Sequence, residues 1–462
     1  MKNKNFIIIV IGQIISLFGN AIQRFSMSLY LLEFTGSTAA FANILAISTI
    51  PYILFAPIAG MLSDNVNRKK IMVYLDLFCS ILIGGYAFVV FSGNDHKLIV
   101  AAVMFMLSIC YTLYGPAVTA SIPQVVDEEK LTSANGIISQ VGSVVNFLGP
   151  ILAGILYGIV GIKLIVIINA ISFFASAVME MFLDIPDVVK NVDEEEAFNV
   201  SSLDKKDLNL VTDISDMEIA PTVEITRSKD QNTKNSKNTN SKVLSVRFIK
   251  DSFMDMYKTF KYLSKKKKVV LGIIASYALC NIFLVPVLTI LAPYFINIFL
   301  GLPSQIYGIV EGIFVLGMII GGFWISIKPK MFSMKKVHYT YFPMIAGVLL
   351  MSSLGAVKAN NYVLAILFGI SGMAIMMSLS LSNVLTLTFI QKEVPLEMLG
   401  KVSAFSTAIA TISVAPGQLL YGQIIEAGIP IGIILLITAA ANIALVIFVK
   451  WNVRAIDEMN NV

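Results

Sequence analysis

The sequence predicts an all-α integral membrane protein with twelve transmembrane helices in two six-helix halves, and three observations predict it. The 462 residues are 56% hydrophobic and only 14% charged, with a mean hydropathy of +0.80, which is far too apolar for a soluble chain of this length. Segments of about 20 apolar residues or more, enough to cross a bilayer, recur along the chain with short polar breaks. A long polar segment divides them into two sets of six.

In the first half, residues 1–184, spans are expected at 6–33, 38–62, 70–92, 98–122, 134–159 and 162–184. The opening Met-Lys-Asn-Lys-Asn leads into an apolar run too long for a signal-peptide core and without a small-residue cleavage pattern, so it reads as a retained first span. From 185 to 268 the composition turns to Asp, Glu, Lys, Asn, Ser and Thr, with a low-complexity run at 231–242. Such a segment buries too little apolar surface to fold and reads as a cytoplasmic linker, disordered in part. Its end differs. Ile249, Phe253, Met256, Phe260 and Leu263 recur at spacings of four and three, predicting an amphipathic helix over 246–264 on the inner membrane face. The second half, 269–462, gives spans at 269–299, 305–327, 337–357, 361–389, 400–426 and 429–450 and a short tail.

On that count the connections of one side contain Lys97, Lys163 and Lys358 as their only Lys or Arg residues, and the other side holds nearly all the rest. Basic loops stay in the cytoplasm, so both termini and the linker are expected inside, at a bacterial plasma membrane. The two halves also echo each other. Ile122, Glu129 and Leu131, before the fifth span, are matched at one constant offset by Ile390, Glu397 and Leu399, before the eleventh, and Leu156-Tyr157-Gly158 is matched by Leu420-Tyr421-Gly422. Two parallel repeats about an axis along the membrane normal follow.

Several function classes drop out. The formal charge of +5 comes from basic residues confined to loops, with no nucleic-acid-binding face. Cys79, Cys110 and Cys280 lie far apart inside apolar segments, where they fill space; no disulfide framework, metal site or cofactor is expected. The chain has no Gly-x-Ser-x-Gly, no His-Glu-x-x-His and no nucleotide-binding glycine loop, which speaks against an enzyme.

A charge in hydrocarbon costs about 2.5–3.5 kcal/mol on lenient scales, so intramembrane charges mark protein-facing or wet positions. Glu33 and Glu426 sit near outer ends, where water suffices as a partner. Asp76 and Glu180, near inner ends, read as braces, Asp76 for the loop at Arg68 or Lys69. Arg24 and Glu311 reach no interface easily. They are either a structural pair or two snorkelling side chains, or the lining of a central cavity in which Glu311 carries a proton. Gln13, Ser16, Asn20 and Gln23 step by three, four and three and share one face of the first span, as cavity lining or as a helix–helix hydrogen-bonding stripe. In the fifth span Gly149, Pro150 and Gly154 permit a bend and close packing.

The connection from Gly60 to Lys70 combines an acid, Asp64, with Arg68, Lys69 and Lys70, and its Asn67 tolerates the left-handed conformation a reversal needs. With Gly60, Asp64, Arg68 and Lys69 in place, the loop resembles the signature Gly-x-x-x-Asp-x-x-Gly-Arg-Lys/Arg of the major facilitator superfamily, Asn67 replacing its second glycine. Gly149-Pro150-Ile-Leu-Ala153-Gly154 resembles the Gly-Pro-x-x-Gly-Gly element of that superfamily's drug:proton antiporters. Gln13-Ile-Ile-Ser16, Tyr30–Ser37, Pro51 and Gly115-Pro116-Ala117 look like its macrolide-efflux branch, which also includes siderophore exporters.

The resemblance implies a monomeric secondary transporter, driven by a proton gradient, that exports drug-like or siderophore-like amphipathic molecules by alternating access. It implies that the first, fourth, seventh and tenth spans line the pathway, adding Tyr111, Tyr114, Tyr277, Asn281, Ser378 and Asn383 to the candidates. It also makes Gly60, Asp64, Arg68, Lys69 and Asp76 a latch on the outward-open state. The fourth span departs from the antiporters in having no arginine. An importer of the same fold is the alternative, followed at a distance by a membrane sensor or a membrane enzyme.

Overall fold

A computed structural model describes residues 4–127, 130–185, 246–328, 331–332 and 334–459. The low-complexity linker over 186–245 lies outside the described residues. The described chain is all-helical: α1 (Lys4–Thr35), α2 (Thr38–Asn65), α3 (Arg68–Ser92), α4 (Lys97–Val125), α5 (Leu131–Glu180), α6 (Val246–Lys266), α7 (Lys268–Pro286), α8 (Ser304–Ile327), α9 (Phe342–Leu354), α10 (Asn361–Glu393), α11 (Leu396–Glu426) and α12 (Ile431–Met459). Eleven helical stretches among them are long and apolar enough to cross a membrane. The count falls one short of twelve because the fifth and sixth spans form one continuous helix, α5, broken at Gly161 (φ 64°, ψ −178°). That backbone conformation is essentially open to glycine alone. The chain reverses there, since Gly149 before the break and Asn169 after it both lie beside the middle of α1, against Ala21 and Gly19.

Helix ends follow local chemistry. Ser37 caps α2 by accepting the Ala40 N–H at 3.1 Å, and Asn360 caps α10 by accepting from Tyr362. Asn67 is not left-handed: at φ −54° it is the N-cap of α3, its side chain accepting the Lys70 N–H and donating to the Ile185 carbonyl. In the connection before α5, Lys130 Nζ lies 2.5 Å from Asp127 and holds that carboxyl below its usual range. After α7, Pro286 and Pro293 each lack an N–H, and each is followed by a π-helical stretch, Val287–Leu291 and Tyr294–Phe299.

In the first half α1 packs on both arms of α5, α3 on α5, and α2 on α4; in the second, α8 packs on α10, α9 on α10 and α12, and α7 on α11. Helix α6 runs up to α7, burying Leu263 and setting the Phe260 ring 6.5 Å from Phe405 of α11. Lys267, at the α6–α7 junction, pairs with Glu393 at the end of α10 at 3.0 Å.

The halves meet along two seams, α2 with α11 and α5 with α8. Both seams rest on missing side chains. A Cβ on Gly154 would stand 2.8 Å from the Ser304 carbonyl oxygen, one on Gly308 2.6 Å from that of Pro150, and one on Gly422 2.2 Å from the Ala42 methyl. These contacts cluster toward the end of the bundle opposite the Asn65–Arg68 connection, hereafter the far end. Toward the connection itself the helical glycines Gly115, Gly142 and Gly400 face open space.

Candidate functional site

The contact between halves at α1 and α8 carries the opposite charges. Arg24 is exposed on α1, and the next residue, Phe25, stacks on Tyr307 of α8 with ring centroids 4.9 Å apart and an interplanar angle of 18°. One turn on from Tyr307, Glu311 shares its helix face. The Tyr307 hydroxyl lies against the Glu311 carboxyl, and the Arg24 charge acts on Glu311, on Tyr307 and on Tyr52 of α2. No ion pair within 4 Å joins Arg24 to Glu311 among the described residues, and Glu311 Oε2 is buried without a hydrogen-bond partner. An exposed guanidinium and a half-buried acid therefore stand on the two sides of the Phe25–Tyr307 stacking, without a direct ion pair among the described residues.

The polar stripe of α1 divides. Gln13, Ser16 and Gln23, expected as cavity lining or as a helix–helix stripe, turn into the first half and are 6%, 2% and 1% exposed. Gln13 Nε2 donates to the Tyr114 hydroxyl at 3.2 Å, and Asn169 donates to Gln23 Oε1 at 3.1 Å. The physical reason is the glycines at 12 and 19, which bring α1 so close to the second arm of α5 that a Cβ on Gly19 would stand 2.6 Å from Asn169 Oδ1. Asn20 is half-buried with an unpartnered Oδ1, and Arg24 alone of the group is open.

The remaining candidates scatter. Tyr111 is half-buried with its hydroxyl unpartnered near Tyr52, whereas Tyr114 is buried and donates to Glu180 Oε1 at 2.5 Å. Asn281 donates to the Ala410 carbonyl at 3.0 Å, inside the second half, and Ser378 donates to the Thr340 carbonyl. Tyr277 is half-buried and Asn383 exposed. Gly149 meets Ala21 of α1, while Pro150 and Gly154 sit directly on Gly308, so the small residues of the fifth span form the α5–α8 seam.

Three sequence readings change. Asp76 does not brace the loop: Arg68 Nε donates to the Ser63 carbonyl at 3.1 Å, while Asp76, two turns along α3, is 2% exposed beside Ser176 of α5. Eight helical residues span about 12 Å, which takes Asp76 out of reach of the loop. Glu426 is no idle interfacial acid, because its Oε2 accepts the Thr38 and Ala39 N–H groups at 2.8 and 3.3 Å. Glu33 likewise accepts the Tyr157 hydroxyl at 2.7 Å. Asp95, which sequence reasoning missed, accepts the hydroxyls of Tyr30 and Tyr86 at 2.7 and 2.9 Å. It sits in a short connection with no periodicity to mark it. Gly60 and Asp64 fall in the last two turns of α2, and their side chains lie outside the described residues.

No group of three metal-ligating residues occurs among the described residues. The architecture is shared with solved transporters. The crystal structure of a bacterial homologue of the iron transporter ferroportin, in its inward-facing state, superposes with a TM-score of 0.65 over 98% of this chain and 99% of that one, at 16% identity, a likeness of fold alone. In sequence, macrolide efflux protein A of Streptococcus pyogenes is 30% identical over 175 residues, 38% of this chain and 43% of that protein. The multi-drug resistance efflux pump PmrA of Streptococcus pneumoniae serotype 4 is 30% identical over 135 residues, 29% of this chain and 32% of that protein. The matched stretches thus span less than half of the length of these relatives. The sequence profile of the Major Facilitator Superfamily matches residues 9–418. Covered by that profile over nearly all of its length, and folded like the solved transporters, the chain belongs to the Major Facilitator Superfamily and is a multi-pass membrane protein.

Proposed function

We propose that this protein exports amphipathic small molecules, drug-like or siderophore-like, by alternating access of its two halves, and that an inward proton gradient drives it. The observation that carries the reading is the stacking of Phe25 on Tyr307 between the halves, which brings the charge of Arg24 to bear on Glu311. When Glu311 is ionised, attraction to Arg24 draws α1 and α8 together; when a proton neutralises Glu311, that attraction is lost and Arg24 is freed for a solute or for water. A half-buried carboxyl with one unpartnered oxygen, at the contact between rocking bodies, suits this exchange. The efflux relatives support the direction of transport and the substrate class.

In this reading the two six-helix halves, 1–184 and 269–462, are the moving bodies and the 185–268 segment joins them in the cytoplasm, with both termini on that side. The protein works as a monomer in the plasma membrane. The Gly60–Lys70 connection then faces the cell interior and the far end faces outward, so that the conformation described is closed to the outside. The deciding experiment uses everted membrane vesicles energised with a proton gradient and a fluorescent macrolide or a siderophore as solute. The native protein accumulates solute and Glu311→Gln abolishes the dependence on the gradient. Unchanged coupling in Glu311→Gln sinks the assignment, and solute extrusion from the vesicles makes the protein an importer.

A further inference from the structure

A second pair of acids lies wholly inside the first half. Asp76 on α3 and Glu180 at the end of α5 are 2% and 0% exposed, and each acts electrostatically on the other or on its surroundings without a basic partner. Around them α4 presents Cys110, Tyr111 and Tyr114, α3 presents Cys79, and α1 presents the uncharged Gly12 and Gln13. Among the described residues, no lysine, arginine or histidine acts on either carboxyl. Asp184, a turn beyond Glu180, is exposed and its backbone is tied to Asn5.

Two carboxylates in such a place, both charged, would each bear a desolvation cost with no counter-charge to offset it, and would repel each other besides. Hydrogen bonds do not remove the difficulty. Tyr114 serves one oxygen of Glu180, while Asp76 Oδ2, Glu180 Oε2 and the Ser176 hydroxyl oxygen are all buried without a partner. Ser176, beside Asp76, is itself 0% exposed. Its oxygen also shares with Glu180 Oε1 the space beside Gly12, each 3.8 Å from where a Cβ there would stand. Among the described residues, three unserved oxygens thus lie beside two acids with no basic side chain to balance them.

We propose that Asp76 and Glu180 form a proton-binding site inside the first six-helix half, distinct from Arg24–Glu311. One proton, taken up from solution, bonds to an oxygen of one carboxyl; the pair then carries one negative charge in place of two, and Ser176 and Tyr114 serve the oxygens that remain. The chain Gln13–Tyr114–Glu180 ties this site to α1, the same helix that bears Arg24. Occupancy of the site therefore sets how firmly α1 is held against the second arm of α5.

The test is infrared spectroscopy of the purified full chain in lipid nanodiscs, titrated through neutral pH in sodium-free buffer. The wild type is expected to keep a protonated-carboxyl C=O absorption near neutral pH. That band should persist in Glu311→Gln, shift in Tyr114→Phe, and vanish in the double variant Asp76→Asn, Glu180→Gln. A wild type with no such band overturns the proposal and needs no variant to fold. If the double variant does not fold, Tyr114→Phe decides, an unshifted band counting against the site. Loss of the band in Glu311→Gln assigns the proton to the seam instead, and its abolition by sodium ions at constant pH makes this a metal-cation site; either result overturns the proposal.

Discussion

Glu426 Oε2 accepts the backbone N–H of Thr38 at 2.8 Å. The carboxylate is the last residue of α11, in the second half, and the N–H belongs to the first turn of α2, in the first. One half therefore caps a helix of the other, placing a negative charge where the unsatisfied donors and the dipole of α2 favour it. Ser37 fills the local cap position, so the side chain from across the seam serves donors that Ser37 leaves free.

Replacing Glu426 by Gln removes the charge and keeps much of the shape. A carboxylate at a helix N-terminus contributes about 0.3–1 kcal/mol, so the equilibrium at the far end should move roughly twofold to fivefold toward separation. Electron–electron resonance distances between spin labels at Phe34 and Ile429, both exposed, read this directly. An unchanged distance distribution removes Glu426 from the closure.

Gly308 has no room for a side chain, since even a methyl would stand 2.6 Å from the Pro150 carbonyl oxygen. Backbone cannot yield as a flexible side chain can, so Gly308→Val should force α5 from α8 at an overpacking cost of about 1–3 kcal/mol. Transport should fail while insertion and expression persist. Vesicle transport at wild-type rates with normal protein levels would contradict this.

Gly161 holds a conformation that a residue with a Cβ enters only at about 1–3 kcal/mol. Nothing lies within 4 Å of the position its Cβ would take, so strain alone is at stake. Gly161→Ala should lower the thermal unfolding temperature in detergent, and an unaltered melting curve would show that the reversal tolerates other backbone angles.

The Lys267–Glu393 pair is about a third exposed on both sides, and such pairs contribute about 0–1 kcal/mol. Glu393→Gln should shift thermal unfolding little, and less still in high salt. A large loss would mean that the α6–α7 junction is held by this contact and not by Leu263 and the Phe260–Phe405 packing.

Much of the architecture was legible in the residues, because hydrocarbon imposes length and composition on every crossing. The division of α5 was read as two spans, and only the torsions at Gly161 show that its helix continues to the turn. What the sequence did not expose was direction around each helix. The step of three and four in Gln13, Ser16, Asn20 and Gln23 identifies a common face, but which neighbour that face meets depends on Gly12 and Gly19, whose close approach to α5 is a tertiary event. The same holds for Asp76: its distance from Arg68 along α3 can be counted, but its proximity to Ser176, a hundred residues away in the chain, cannot. Arg24 and Glu311 stood out because charge in an apolar run has few places to go, and here they lie on opposite sides of the seam.

Gly142 and Gly400 sit in helices and face nothing, although an interior glycine costs a helix about 0.5–1 kcal/mol against alanine. In this conformation a larger residue at either position would be harmless or helpful to its own helix. The clearance acts like the unused jaw of a clothes peg: whatever is placed there is felt only when that jaw shuts. Bulky reporters attached at these two positions would leave the resting shape intact, so that any loss of transport they cause reports a pose in which that clearance is gone.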